Sequence, residues 1–101
     1  MSKLYLIKDG KCLEKDGSST RTVGQSGAIH VSQGLFDGKE SYAITYKNGV
    51  VYMTTGSATV QMRSGISNPV LSTQFYDNGL IFNHQNGKNY LKTKSTGKEI
   101  R

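Results

Sequence analysis

Two histidines, one cysteine and seven carboxylates are the side chains of this 101-residue chain suited to acid–base, nucleophilic or metal chemistry. Hydrolysis by a nucleophile needs a hydroxyl or thiol beside a base that a third group orients. Gly24-Gln25-Ser26-Gly27 sets a serine between glycines without the Gly-x-Ser-x-Gly spacing of a nucleophile elbow, so Ser26 reads as a turn residue. His30 alternates with Ile29 and Val31 and is expected to face solvent, while His84 ends a strand beside Gln85-Asn86-Gly87. Neither has a second His, Cys or carboxylate at ligand spacing. Asp9, Asp16 and Asp37 precede glycine and Asp77 precedes Asn78-Gly79, which gives all four a turn role and leaves Glu14 and Glu40, with Glu99 in the basic tail, unassigned. Gly38-Lys39 and Gly97-Lys98 lack the upstream glycine and the following Ser or Thr of a phosphate loop. Cys12 has Lys11 and Lys15 nearby, which could activate a thiol, but a lone cysteine reads first as a small buried hydrophobe. The expectation is a non-enzymatic chain with no cofactor and no metal.

A second kind of chemistry is suggested near the C-terminus. In Lys88-Asn89-Tyr90-Leu91-Lys92-Thr93-Lys94, read as a strand, Lys88, Tyr90, Lys92 and Lys94 share one face and Leu91 takes the other. Phosphates could meet the ammonium groups while a base stacks on Tyr90. Lys98 and Arg101 extend the patch if the tail folds back, and Lys3 and Tyr5 join it if the first and last strands are neighbours. These eight residues are the candidate polyanion site. The competing reading is a solvated strand whose lysines guard a sheet edge.

The elements that must carry these residues are strands. Twelve glycines punctuate the chain, and six of them close Asp-Gly or Asn-Gly pairs: Asp9-Gly10, Asp16-Gly17, Asp37-Gly38, Asn48-Gly49, Asn78-Gly79 and Asn86-Gly87. Such pairs supply the positive φ of two-residue hairpin turns. Between them the period is two: Tyr42, Ile44 and Tyr46 oppose Ser41, Ala43 and Thr45, and Ala58, Val60 and Met62 oppose Thr59, Gln61 and Arg63, so both segments read as half-buried strands. Further strands are expected over 3–8, 11–15, 20–24, 28–33, 50–55, 70–76, 80–84 and 88–94. The fold class is therefore all-β: one small domain over 1–94, a meander, barrel or sandwich of about eight to ten short, mainly antiparallel strands, with a short basic tail over 95–101. Residues 46–52 and 76–82 also match each other as aromatic, any, Asn, Gly, two aliphatics, aromatic. Two readings account for the match: two hairpins that share one turn solution, or a duplicated unit.

Composition narrows the function classes. Residues 1–21 carry five bases and three acids, 22–87 three and three, and 88–101 five and one, so the excess of the +6 charge sits at the two ends. Ser, Thr, Asn and Gln make up 31 residues against 20% charged ones, a surface suited to subunit contacts through neutral hydrogen bonds. No apolar run approaches the length of a membrane span and no secretion signal is expected. A single cysteine gives no internal disulfide and suggests no disulfide-linked partner. The leading expectation is an interaction or assembly module working through a strand edge or sheet face, in the cytoplasm or in a particle as a structural, virion-like component, with a protein partner or self-association. The alternative is a small nucleic-acid-binding β-barrel using the basic and aromatic face.

Overall fold

A computed structural model describes residues 3–64, 67–95 and 97–100. Among them the chain is all-β, without helix, in eleven strands. These are β1 (Lys3–Lys8), β2 (Lys11–Asp16), β3 (Ser19–Val23), β4 (Ala28–Phe36), β5 (Lys39–Tyr46), β6 (Val51–Thr55), β7 (Ala58–Arg63), β8 (Val70–Tyr76), β9 (Gly79–His84), β10 (Asn89–Lys92) and β11 (Gly97–Glu99). They form three open antiparallel meanders: a first sheet β1-β2-β3, a second β4-β5-β6-β7 and a third β8-β9-β10-β11. The eleventh strand lies in the segment expected as a tail, where Leu91 and Lys92 of β10 pair with Lys98 and Gly97.

Turn chemistry sets the meanders. Asp9-Gly10 (φ 54° and 74°) and Asp37-Gly38 (53° and 75°) are two-residue connections with positive φ at both positions, matching the twist of the flanking strands. The β8–β9 turn is Asp77-Asn78 (53° and 61°), one residue ahead of the expected Asn78-Gly79. Gly79 already pairs with Tyr76, at a point where a Cβ would stand 2.8 Å from the Lys92 carbonyl oxygen. Asn48-Gly49 and Asn86-Gly87 close longer loops, in which Gly49 N donates to Tyr46 O and Gly87 N to His84 O. Gly17-Ser18, not Asp16-Gly17, joins β2 to β3, since Asp16 pairs with Ser19.

The sheets stack face to face with the second in the middle. One of its faces carries Tyr42, Ile44, Tyr46 and Tyr52, which meet Cys12, Val23, Tyr5 and Ile7 of the first sheet. Its other face carries Ala43, Val51 and Met53, which meet Val70, Leu80 and Phe82 of the third. β5 is thus buried on both faces rather than half-buried, and β7, where a half-buried strand was expected, is a largely exposed edge. Packing between sheets is closest at their leading strands, above all β4 on β8. There Ser32 and Thr73 hydroxyls lie 2.7 Å apart, and Gly34 leaves room for the Phe75 ring.

A repeat underlies the stack, with a different offset from the one legible in the 46–52 and 76–82 segments. Asn48-Gly49 is the second connection of its sheet, whereas Asn78 belongs to the first connection of the next, so those two segments are not equivalent. The equivalent glycines are Gly10, Gly49 and Gly87, spaced 39 and 38 residues apart. Gly10 O accepts from Ala28 N and Gly49 O from Val70 N, so each begins the next sheet's leading strand. Both leading strands are irregular at their second residue, between Ala28 and His30 and between Val70 and Ser72. Lys47 N donates to Gly27 O just as Gln85 N donates to Pro69 O. In this register β1, β5 and β9 correspond, as do β2, β6 and β10, and the first sheet has no counterpart of β4 or β8 among the described residues.

Candidate interaction surfaces

The C-terminal basic face is rearranged by this stacking. Tyr90 pairs with Phe82, which is fully buried in the cluster between the second and third sheets, so Tyr90 turns inward and Leu91 outward, while Lys88 and Lys92, on the Tyr90 face, stay exposed at its margins. Leu91 can face out because each sheet has two faces to cover and the outermost sheet has one neighbour. The Tyr90 ring is occupied: the Arg63 guanidinium lies 4.2 Å from its centroid and His84 meets it edge-on at 5.6 Å. Arg63 Nε also donates to His84 Nε2 at 3.0 Å, and His84 Nδ1 donates to the Asn68 carbonyl at 2.7 Å. Lys88 Nζ lies 3.9 Å from Glu99, which sits opposite Tyr90, and Lys94 Nζ lies 3.5 Å from Asp37. Lys98 stands opposite Leu91, on the other face from Lys92. Arg101 lies outside the described residues. Lys3 and Tyr5 are in a different sheet from β10, so the two basic ends do not form one sheet surface. Arg63 reads in the sequence only as part of the polar face of a strand, and nothing local there marks its place over the Tyr90 ring.

Lys3 and Tyr5 instead belong to a groove of about 480 Å³ between the first and second sheets. Its floor is Glu14, 5% exposed. Tyr5 OH donates to Glu14 Oε2 at 2.8 Å and Arg21 Nε to Oε1 at 2.7 Å, with Lys3 Nζ at 3.9 Å. Tyr5 stacks on Tyr42 with centroids 4.1 Å apart. The Arg21 and Tyr5 hydrogen bonds hold the Glu14 carboxyl below the usual carboxylate range, and burial, with the bond to Glu14, pushes the Tyr5 phenol up. Pairing puts Tyr5, Glu14 and Arg21 in one row, at the positions of Ala43, Met53 and Val60 in the second sheet. The carboxylate therefore replaces an apolar residue of the repeat.

The remaining chemistry-bearing residues are structural in placement. Cys12 is fully buried, and burial pushes its thiol up to about 11. His30 does not face solvent: the irregularity at Ile29 reverses the alternation, so Ile29 is 45% exposed and His30 turns toward the third sheet, where Nδ1 accepts from Thr73 N at 3.4 Å. Burial lowers the His30 imidazole. Among the described residues, no group of three or more His, Cys, Asp or Glu could hold a metal, and no helix is long and apolar enough to cross a membrane.

Two sheet faces remain. On the first sheet, Leu4, Leu6 and Leu13 share the face turned away from the second sheet, with Lys8, Lys11 and Lys15 around them. Leu4 is 55% exposed. On the third sheet, the outward face carries Gln74, Ile81, Asn83, Asn89, Leu91 and Lys98. Neither face contributes to either buried cluster, although Ile81 itself is buried. The edge of β1 is a third surface. Lys8 and Lys11 close a two-residue hairpin, so Leu4, Leu6 and Lys8 face β2 and the backbone groups of Tyr5 and Ile7 point away from it. No protein-family model matches the chain, and no curated protein matches it.

Proposed function

We propose that the chain is a non-enzymatic interaction and assembly module that works through the open faces of its outer sheets. One observation carries this reading: the second sheet is buried on both faces, while the corresponding positions on the first and third sheets lie outside both cores. Apolar residues ringed by polar ones on a sheet face are the usual make-up of a protein contact. The β1 edge offers backbone pairing beside the same face. A nucleic-acid role draws less support, because Lys88 and Lys94 face carboxylates and the Tyr90 ring is covered.

Sedimentation of the full chain over a concentration series tests the reading at about 0.1 M and about 0.5 M salt, with and without a single-stranded oligonucleotide, since apolar contacts survive screening that weakens charge contacts. The expected result is association that persists at the higher salt. A monomer throughout the series overturns it, and an oligonucleotide complex that salt dissolves favours the nucleic-acid alternative.

A further inference from the structure

We propose that the partner of these faces is a second copy of this chain, docked head to tail, so that two copies close a ring of six sheets. The proposal rests on the assembly reading above and names its partner.

The chain makes two joints of this kind, each centred on β4 or β8, and the proposed third differs in that the first sheet has no such leading strand among the described residues. The row of Ala43 and Met53 in the second sheet is covered by the third sheet, and its equivalent in the first sheet, Tyr5 and Glu14, is covered by the second. The same row in the third sheet is Ile81 and Leu91, which belong to neither core cluster; Leu91 is half-buried there and Ile81 already buried within the single chain. On the opposite faces, Tyr42, Ile44 and Tyr52 are covered by the first sheet, and Leu80, Phe82 and Tyr90 by the second. Their equivalents in the first sheet, Leu4, Leu6 and Leu13, lie outside both core clusters, with Leu4 exposed and Leu6 and Leu13 half-buried. One half of the joint is therefore left at each end of the stack, and the halves differ. In the joint between the first and second sheets Tyr5 stacks on Tyr42 at 4.1 Å. The same relation brings Ile81 of one copy against Leu4 of the other, with Leu91 beside Leu13.

Because the two halves differ, the contact is heterologous, and such contacts give a ring where the rotation closes. The leading strands pack most closely, β4 on β8, so the sheets fan about that side. Radially repeated four-stranded sheets close at about four to eight around an axis. With three sheets per chain, two copies fall within that range and neither one nor three do. Both halves carry lysine, Lys8, Lys11 and Lys15 against Lys98, so charge opposes the joint and apolar area must drive it. Raising salt should tighten it, opposite to the response of a phosphate contact.

The test is sedimentation of the full chain together with Leu4→Asp and Leu91→Asp, each checked for an unchanged melting profile, with Leu91→Gln as the milder substitute. The wild type is expected at twice the monomer mass, with affinity rising from low to high salt, and each variant alone as a monomer. An equimolar mixture of the two variants should regain a two-chain species weaker than wild type, because the intact third-sheet face of one meets the intact first-sheet face of the other. Self-association that only one variant blocks, that mixing fails to restore, or that grows without limit overturns the ring and leaves the assembly reading standing. A wild type monomeric at every concentration overturns both.

Discussion

Replacing Glu14 by Met, the residue that the second sheet has at this position, tests how much the polar row in the groove contributes. Glu14 accepts from Tyr5 OH at 2.8 Å and from Arg21 Nε at 2.7 Å. The Arg21 side chain is 68% exposed, so it regains water when the carboxylate goes and its ion pair adds little. Tyr5 is half-buried in the groove, and leaving such a donor without its partner costs about 1–3 kcal/mol. Glu14→Met should therefore destabilise by about 1–3 kcal/mol, whereas Tyr5→Phe with Glu14→Met should cost less than the sum of the single changes, since removing both partners leaves nothing unpaired. In a domain of this size, each kcal/mol lowers the melting temperature by about 4–8 °C. The sign of the pH effect follows from the lowered Glu14 carboxyl. Its contribution is complete above the unfolded value of about 4.3 and is lost as pH falls through the lower folded value. Urea unfolding at about pH 7 and about pH 2.5 reads both effects, and the Glu14→Met penalty should shrink at the acid end. An equal penalty at both values, or strict additivity in the double mutant, refutes the reasoning.

Thr45→Val should stabilise the fold by about 1 kcal/mol, because Thr45 Oγ1 is buried with no hydrogen-bond partner among the described residues; an unchanged or lower urea midpoint would count against this. Gly34→Ala places a Cβ 2.6 Å from the Phe75 Cβ between the second and third sheets and should cost about 1–3 kcal/mol, and a melting temperature equal to wild type would mean that the sheets are not this close. The full chain should pass unretained over immobilised single-stranded DNA at about 50 mM salt; retention with a log–log salt slope near −2, abolished by glutamine at Lys88, Lys92 and Lys94, would restore the nucleic-acid reading.

The strands were legible because period-two alternation and Gly-centred turns are local signals: 3–8 and 70–76 carry the same bounds in sequence and structure. What local pattern does not carry is which of two faces lies outside. Tyr90 and Leu91 alternate in either reading, and a sheet with one neighbour instead of two decides that the tyrosine points in. Single-residue irregularities at Ile29 and Leu71 defeat alternation within a strand, which is why His30 faces the third sheet. The groove was missed for a related reason. Glu14 is assigned no turn in the sequence, and only the pairing of β1, β2 and β3 places Tyr5, Glu14 and Arg21 in one row.

The repeat is faint in sequence because corresponding positions answer to different neighbours. Cys12, Val51 and Asn89 occupy one position, as do Ile7, Thr45 and Asn83. Where another sheet covers the position, Cys12, Thr45 and Val51 are fully buried. In the third sheet both positions are asparagine, and Asn83 Nδ2 is satisfied within its own sheet by Ser72 Oγ at 3.0 Å. An outward face that carries amides at these positions, one of them already hydrogen-bonded within the sheet, tolerates water better than the rows it corresponds to, so its burial releases less free energy than burial of Val51 or Phe82. The external joint is accordingly expected to be weaker than the two internal ones and to exchange with monomer, driven by Leu91 and the exposed Leu4, since Ile81 is already buried within the single chain. Substituting Asn89 by Val, the residue of the second sheet, should tighten it at unchanged stoichiometry, whereas a variant that tightens without forming the two-chain species would place the contact elsewhere.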